Sequence, residues 1–235
     1  MPSGEDPLTG NPGRTEALSD AVFAIAMTLL VLDLRAPPHQ VGRLLHGLLA
    51  QWPAYVSFCG SFLFIAVIWT NHRATFRQVD VVDRGVAWAN LGILLGAVLL
   101  PFPTAVLAQA FRSGNHVDER TAVVLYAATA ILMTTAWLVL FTVLHRRSRT
   151  IVGSVSLATW KTQMRRPIFG SLGYALGAGL GAVVHPIIGL IAFALVPIYY
   201  ALTSEGLRAS RPEATNSRTV AHPPGSPSSV TDGQR

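Results

Sequence analysis

The stretch Ala17–Arg35, "ALSDAVFAIAMTLLVLDLR", decides how the chain is read. Between Asp20 and Asp33 lie twelve uncharged residues, Ala21 to Leu32. A lone helix facing lipid needs about 20 mostly apolar residues. Twelve residues at about 1.5 Å rise cover only about 18 Å. A run this short, closed by two carboxylates, fits a helix shielded by other helices. Each carboxylate then needs a partner or a wet surface.

The rest of the chain supplies those other helices. Of its 235 residues 51% are hydrophobic and 13% charged, and the mean hydropathy is +0.43. A soluble domain usually carries about 25% charged residues. The deficit places the chain among membrane proteins. One cysteine, Cys59, excludes a disulfide framework. The start lacks the basic and then apolar regions of a cleaved signal peptide. Residues 1–13 are expected to be a flexible tail and 14–204 a six-helix membrane domain. Residues 205–235, rich in Ser, Pro, Thr and Arg, are expected to be a disordered tail.

Six apolar segments are visible. They run over about 18–35, 50–71, 85–110 and 121–144, with two more packed into 168–203 and split near His185-Pro186. They lack the period-2 alternation of a barrel strand, so the expected fold class is an all-α membrane protein. With six spans and both ends inside, fourteen Lys and Arg fall on the inner side and four on the outer. Five or seven spans scramble that asymmetry, which follows the positive-inside bias. The net charge of +6 is therefore topological, and no nucleic-acid partner is expected.

On a helical wheel Leu18, Ala21, Ile25, Leu29 and Leu32 share one face, and Thr28 lies about 60° from Ile25. Asp20, Phe23 and Met27 lie opposite, and Asp33 sits on the flank. The wheel alone leaves two readings, an ordinary packing stripe or a pore lining, and packing is the simpler. Asp20 lies near the inner end, where the second segment finishes in Trp69, Asn71, His72 and Arg73. These residues offer hydrogen-bond donors and positive charge at the depth of Asp20, so a structural clamp between helices is expected. Ser19, Asp20 and His72 could be drawn as a catalytic set. The chain has no nucleophile elbow and no second acid near that histidine, so no catalytic residue is expected. His39, His46, His116 and His145 lack metal-ligand spacing, and no metal site is expected.

Gly173, Gly177 and Gly181 recur every fourth residue and form a groove for close helix approach. Packing within the subunit is favoured over a subunit contact. Pro101 and Pro103 are expected to bend the third segment.

The first segment resembles the opening helix of the transmembrane protein 175 family of potassium channels, in its prokaryotic form. The family motif is an arginine, three residues, Phe-Ser-Asp and a run similar to Val22–Leu34. Here it reads Arg14, three residues, Leu18-Ser19-Asp20. Trp69 and His72, and Pro101-Phe102-Pro103-Thr104, are similar to the family's second and third helices. The later segments match in number and hydropathy. Leu18 departs from the usual phenylalanine, and Asp33 stands where the family usually has glutamate.

The resemblance implies a homotetramer whose first helices line a central pore, with lipid around it. It implies aliphatic rings of Ile25, Leu29 and Leu32, with Thr28 nearby, as the constriction. It also implies that Arg14, Ser19 and Asp20 pack against Trp69 and His72 and matter for assembly. No cofactor is implied beyond K⁺ as the permeant ion, and a bacterial-type plasma membrane is the expected location. The chain lacks a Thr-Val-Gly-Tyr-Gly filter, so gating is expected from dewetting of the aliphatic rings. Asp33 either concentrates cations at the outer mouth or pairs with Arg35 or the lipid interface. A secondary transporter of a small cation or solute is the alternative function, and a non-conducting scaffold the third. Few polar groups stand at mid-membrane for a transporter to use.

Overall fold

The computed structural model describes residues 12–146 and 157–203, and for 157–168 the helical backbone alone. The expected tails lie outside these residues, except that Pro12 and Gly13 already belong to the first helix. That helix, α1, spans Pro12–Leu29 and tightens into a 3-10 turn at Leu30–Asp33. The others are α2 (Leu44–Ala50), α3 (Trp52–Phe76), α4 (Arg84–Leu99), α5 (Pro101–Ser113), α6 (His116–Arg146), α7 (Leu157–Val183) and α8 (Pro186–Thr203).

Helix ends follow local chemistry. Asp83 caps α4, its Oδ1 accepting from the Val86 amide at 2.9 Å. Asn115 Oδ1 accepts from the Val117 amide at 2.9 Å to open α6, whose first turn carries Asp118 and Glu119. Gly114, at φ 68°, ends α5 in the left-handed conformation that glycine adopts without a Cβ clash. Pro101 starts α5 directly after buried Leu100, so the third apolar segment is two helices that meet at Leu100, where the two prolines lack amides for the bond ladder.

Contacts between helix ends give the directions. Near the start of α1, Asp20 meets Trp69 at the end of α3, while Arg35 meets Gln51 at the start of α3. These two rods are antiparallel. Along α7 and α8, Gly173 faces Val196, Gly177 faces Ala192 and Gly181 faces Gly189, so this pair is antiparallel too.

The core is apolar and continuous, running through Phe23, Ile65, Ile93, Leu107, Met133 and Phe193. Gly96 lets α4 press onto α6, because a Cβ there would lie 3.1 Å from the Met133 sulfur. Among the described residues, four stretches are long and apolar enough to cross a membrane: Pro12–Asp33, Trp52–Phe76, Arg84–Ser113 and His116–Arg146. The apolar parts of α7 and α8 among the described residues, Phe169–Val183 and Pro186–Leu202, are shorter. Over an apolar run of 18 residues in each, the share of buried residues is 22% in the first stretch and 44–50% in the other three. Of these four stretches, Pro12–Asp33 is the one its own chain covers least.

Candidate functional site

The uncovered side of α1 is apolar. Ile25, Leu29 and Leu32 are 56%, 38% and 64% exposed. Leu18, Ala21 and Ala24 lie exposed below them. The 3-10 turn keeps Leu32 over Leu29, because residues three apart eclipse in that helix type. Thr28 is also exposed, and its hydroxyl donates to the Ile25 carbonyl at 2.8 Å. The hydroxyl proton is thus spent on the helix, and the oxygen lone pairs remain available to a cation. Asp33 is half-buried, and among the described residues it forms no ion pair with Arg35 or any other cation.

The opposite face of α1 is fastened. Ser19, Phe23, Ala26 and Leu30 are buried. Ser19 Oγ donates to the Thr15 carbonyl at 2.8 Å and accepts from Asn90 Nδ2 at 3.0 Å. Asn90 Oδ1 is left to accept from His72 Nε2 at 2.8 Å. This order of donors places the His72 proton on Nε2. His72 Nδ1 is buried without a hydrogen-bond partner. The ring stacks on Phe76 at 4.2 Å between centroids, and the edges of Phe23 and Trp137 close the box. One amide on α4 therefore ties α1 to α3.

Asp20 has its own anchor. Its Oδ1 accepts from Trp69 Nε1 at 2.8 Å. The Arg73 guanidinium lies over the Trp69 ring, 5.2 Å from its centroid, and its Nε is 3.8 Å from Glu16 Oε1. The carboxylate is thus half-buried against an indole N–H, with a cation close behind.

The structure gathers Ser19, Asp20, Trp69 and His72, and adds Glu16, Arg73 and Asn90. It does not gather Arg14, which is exposed, or Asn71, whose side chain makes no hydrogen bond among the described residues. Asn90 escaped the sequence reading, although a signal was present. An amide in "AWANLGILLG" is costly in a membrane helix unless it is partnered.

Two other features resolve within the protomer. Gly173, Gly177 and Gly181 face α8, and Gly181 also faces Val123 of α6. A Cβ at Gly177 would lie 2.7 Å from the Ala192 Cβ. The glycine groove is filled by the chain itself. At the junction of α4 and α5, Tyr126 donates to Ser61 at 3.0 Å, Ser61 to Thr104 at 2.7 Å and Thr104 to the Leu100 carbonyl at 2.8 Å. Three helices are hydrogen-bonded across buried hydroxyls, so the junction is held in place.

Residues 14–101, from Arg14 to the first residue of α5, match the family described as endosomal/lysosomal potassium channel TMEM175. A potassium channel of Streptomyces collinus is 39% identical over 80% of this chain and 90% of its own length. One from Chamaesiphon minutus is 39% identical over 57% of this chain and 68% of its own. A crystal structure of a lysosomal potassium-selective channel TMEM175 homolog from Chamaesiphon minutus superposes with a TM-score of 0.70. It is 31% identical and covers 81% of this chain and 96% of that one. These relatives are ion channels and not enzymes. With the motif, the helix order and an identity that spans nearly a whole relative, the chain belongs to the TMEM175 family of potassium channels.

Proposed function

We propose that this protein is a potassium-favouring cation channel, a homotetramer in which the exposed stripe of α1 lines the pore. The observation that carries the reading is the asymmetry of α1. Its back is pinned by Ser19, Asp20 and Phe23, while Ile25, Leu29 and Leu32 are large apolar side chains left exposed on the other face. A short helix between two aspartates is a poor lipid-facing surface. Four copies would cover each other's stripes and leave a narrow apolar axis.

In that assembly six rods per subunit cross the membrane, α4 and α5 serving as one bent rod and α2 standing outside the count. Both termini face the cytoplasm of a bacterial-type plasma membrane, supported by the Lys and Arg distribution. Rings of Ile25, Leu29 and Leu32 form the constriction and close it by expelling water, and a small widening rehydrates it. K⁺ is favoured over Na⁺ because its lower charge density lets it shed water more easily. Thr28 oxygens replace part of the lost shell. Asp33, in four copies near the mouth, raises the local cation concentration. Ser19, Asp20, Trp69 and His72 serve assembly and positioning rather than conduction.

The deciding experiment is K⁺ flux into liposomes containing purified protein, with a size estimate of the complex. Ile25→Asn and Leu29→Asn wet the constriction and are expected to raise flux several-fold. Unchanged flux from both would remove the stripe from the pore. Saturable flux coupled to a second solute would favour a carrier instead.

A further inference from the structure

The link between α1 and α3 folds into a helix that shows water an apolar face. α2 has no buried residue. Val41, Leu44, Leu45, Leu48, Leu49 and Trp52 are all exposed, Val41 fully. At about 100° per residue the four leucines of α2, Leu44, Leu45, Leu48 and Leu49, occupy an arc of about 140°, and Val41 and Trp52 flank it in the chain. The other side carries Arg43, His46 and Gly47, and Gly47 packs on the chain's own loop: a Cβ there would lie 3.2 Å from Pro37 Cγ. The helix is also fixed relative to α3. Gln51 is buried, and its Nε2 donates to the Arg35 carbonyl at 3.0 Å. The apolar face is thus held outward by packing behind it.

We infer that this face lies in the headgroup layer of the adjacent membrane leaflet, with a preference for anionic lipid. The inference rests on the membrane-spanning reading of α3. Two observations choose lipid as the occupant. The first is continuity. α2 passes through Gln51 directly into α3, whose first turn exposes Trp52 and Tyr55. Aromatic rings of that kind mark the boundary of a bilayer. The second is charge. Between Asp33 and Asp80 the sequence holds no carboxylate, and the segment around α2 carries exposed Arg35, His39, Arg43 and His46. A leucine and tryptophan face with a basic, acid-free back is the pattern of a helix lying on an anionic membrane.

The test uses the full chain with Cys59→Ser and Leu45→Cys, labelled with a small fluorophore and reconstituted in phosphatidylcholine vesicles with or without phosphatidylglycerol. Nitroxide lipids, spin-labelled near the headgroup or near the chain end, report depth, and iodide reports water. The headgroup-level nitroxide is expected to remove about half of the fluorescence, and iodide and the deep nitroxide much less. Phosphatidylglycerol should raise that quenching, and Arg43→Gln should cancel the rise. Quenching by iodide alone would place α2 in water. A label shielded from all three quenchers would place it against a second copy of the chain, and stronger quenching by the deep nitroxide would place it in the hydrocarbon. Each of these overturns the inference, and indifference to phosphatidylglycerol overturns the anionic preference. K⁺ flux from the same vesicles stands apart. Flux with a lipid-silent label sinks the docking alone, and a lipid-quenched label without flux sinks the channel reading alone.

Discussion

His72 Nε2 and Asn90 Oδ1 meet at 2.8 Å inside the protomer, and the other end of the same amide holds Ser19. The amide uses both of its ends on two different helices. Replacing it takes a donor from the Ser19 oxygen and strands the His72 imidazole N–H at once. Asn90→Leu is expected to lower stability by about 1–3 kcal/mol. The comparison is thermal melting of the purified protein in detergent. Combined with Ser19→Ala, the loss should be smaller than the sum, because the two residues share one bond. Strict additivity would count against the network.

Asp20 depends on one indole donor. Trp69→Phe keeps the ring but removes the N–H, and Asp20→Asn keeps the acceptor but removes the charge. The first should cost more, about 1–3 kcal/mol for a charged acceptor left unpaired. It should also shift the complex toward smaller species on gel filtration, whereas Asp20→Asn should retain most of the assembly. Equal behaviour of the two variants would argue against the hydrogen bond as the anchor.

The glycines of α7 separate into two kinds. Gly177→Ala drives a methyl to 2.7 Å from the Ala192 Cβ, whereas a Cβ at Gly179 meets nothing within 4 Å. Overpacking costs about 1–3 kcal/mol. In an open helical position alanine gains up to about 1 kcal/mol over glycine. Melting temperatures of the two variants should therefore move in opposite directions. Loss of oligomer without loss of protomer stability in Gly177→Ala would return this groove to a subunit contact.

Asp33 forms no ion pair among the described residues, so its field is free to act on solvent cations. Asp33→Asn is expected to reduce K⁺ flux at low ionic strength, where the screening length is about 30 Å. The difference should vanish near 1 M salt, where the length is about 3 Å. A deficit that persists at high salt would assign Asp33 a structural role instead.

The two aspartates show what a linear reading can and cannot reach. Hydropathy, helical period and charge asymmetry sort residues by face and depth, because those properties repeat along one chain segment. They place Ile25, Leu29 and Leu32 together and put Asp20 on the other side, beside the end of the second segment. The break between α4 and α5 at Pro101 is legible for the same reason: the missing amide is local. The remaining facts required the fold. Asn90 is 71 residues from Ser19, and no local pattern says which of several polar groups at one depth will meet. Nor could the spacing of Gly173, Gly177 and Gly181 say whether the facing helix comes from the same chain. The loop between α1 and α3 became a helix with an uncovered leucine face only once Pro37 and Gln51 packed behind it. Sequence by itself determined which surfaces must leave water. Tertiary structure decided which of them the chain covers for itself, because burial is settled by neighbours that sequence distance does not reveal.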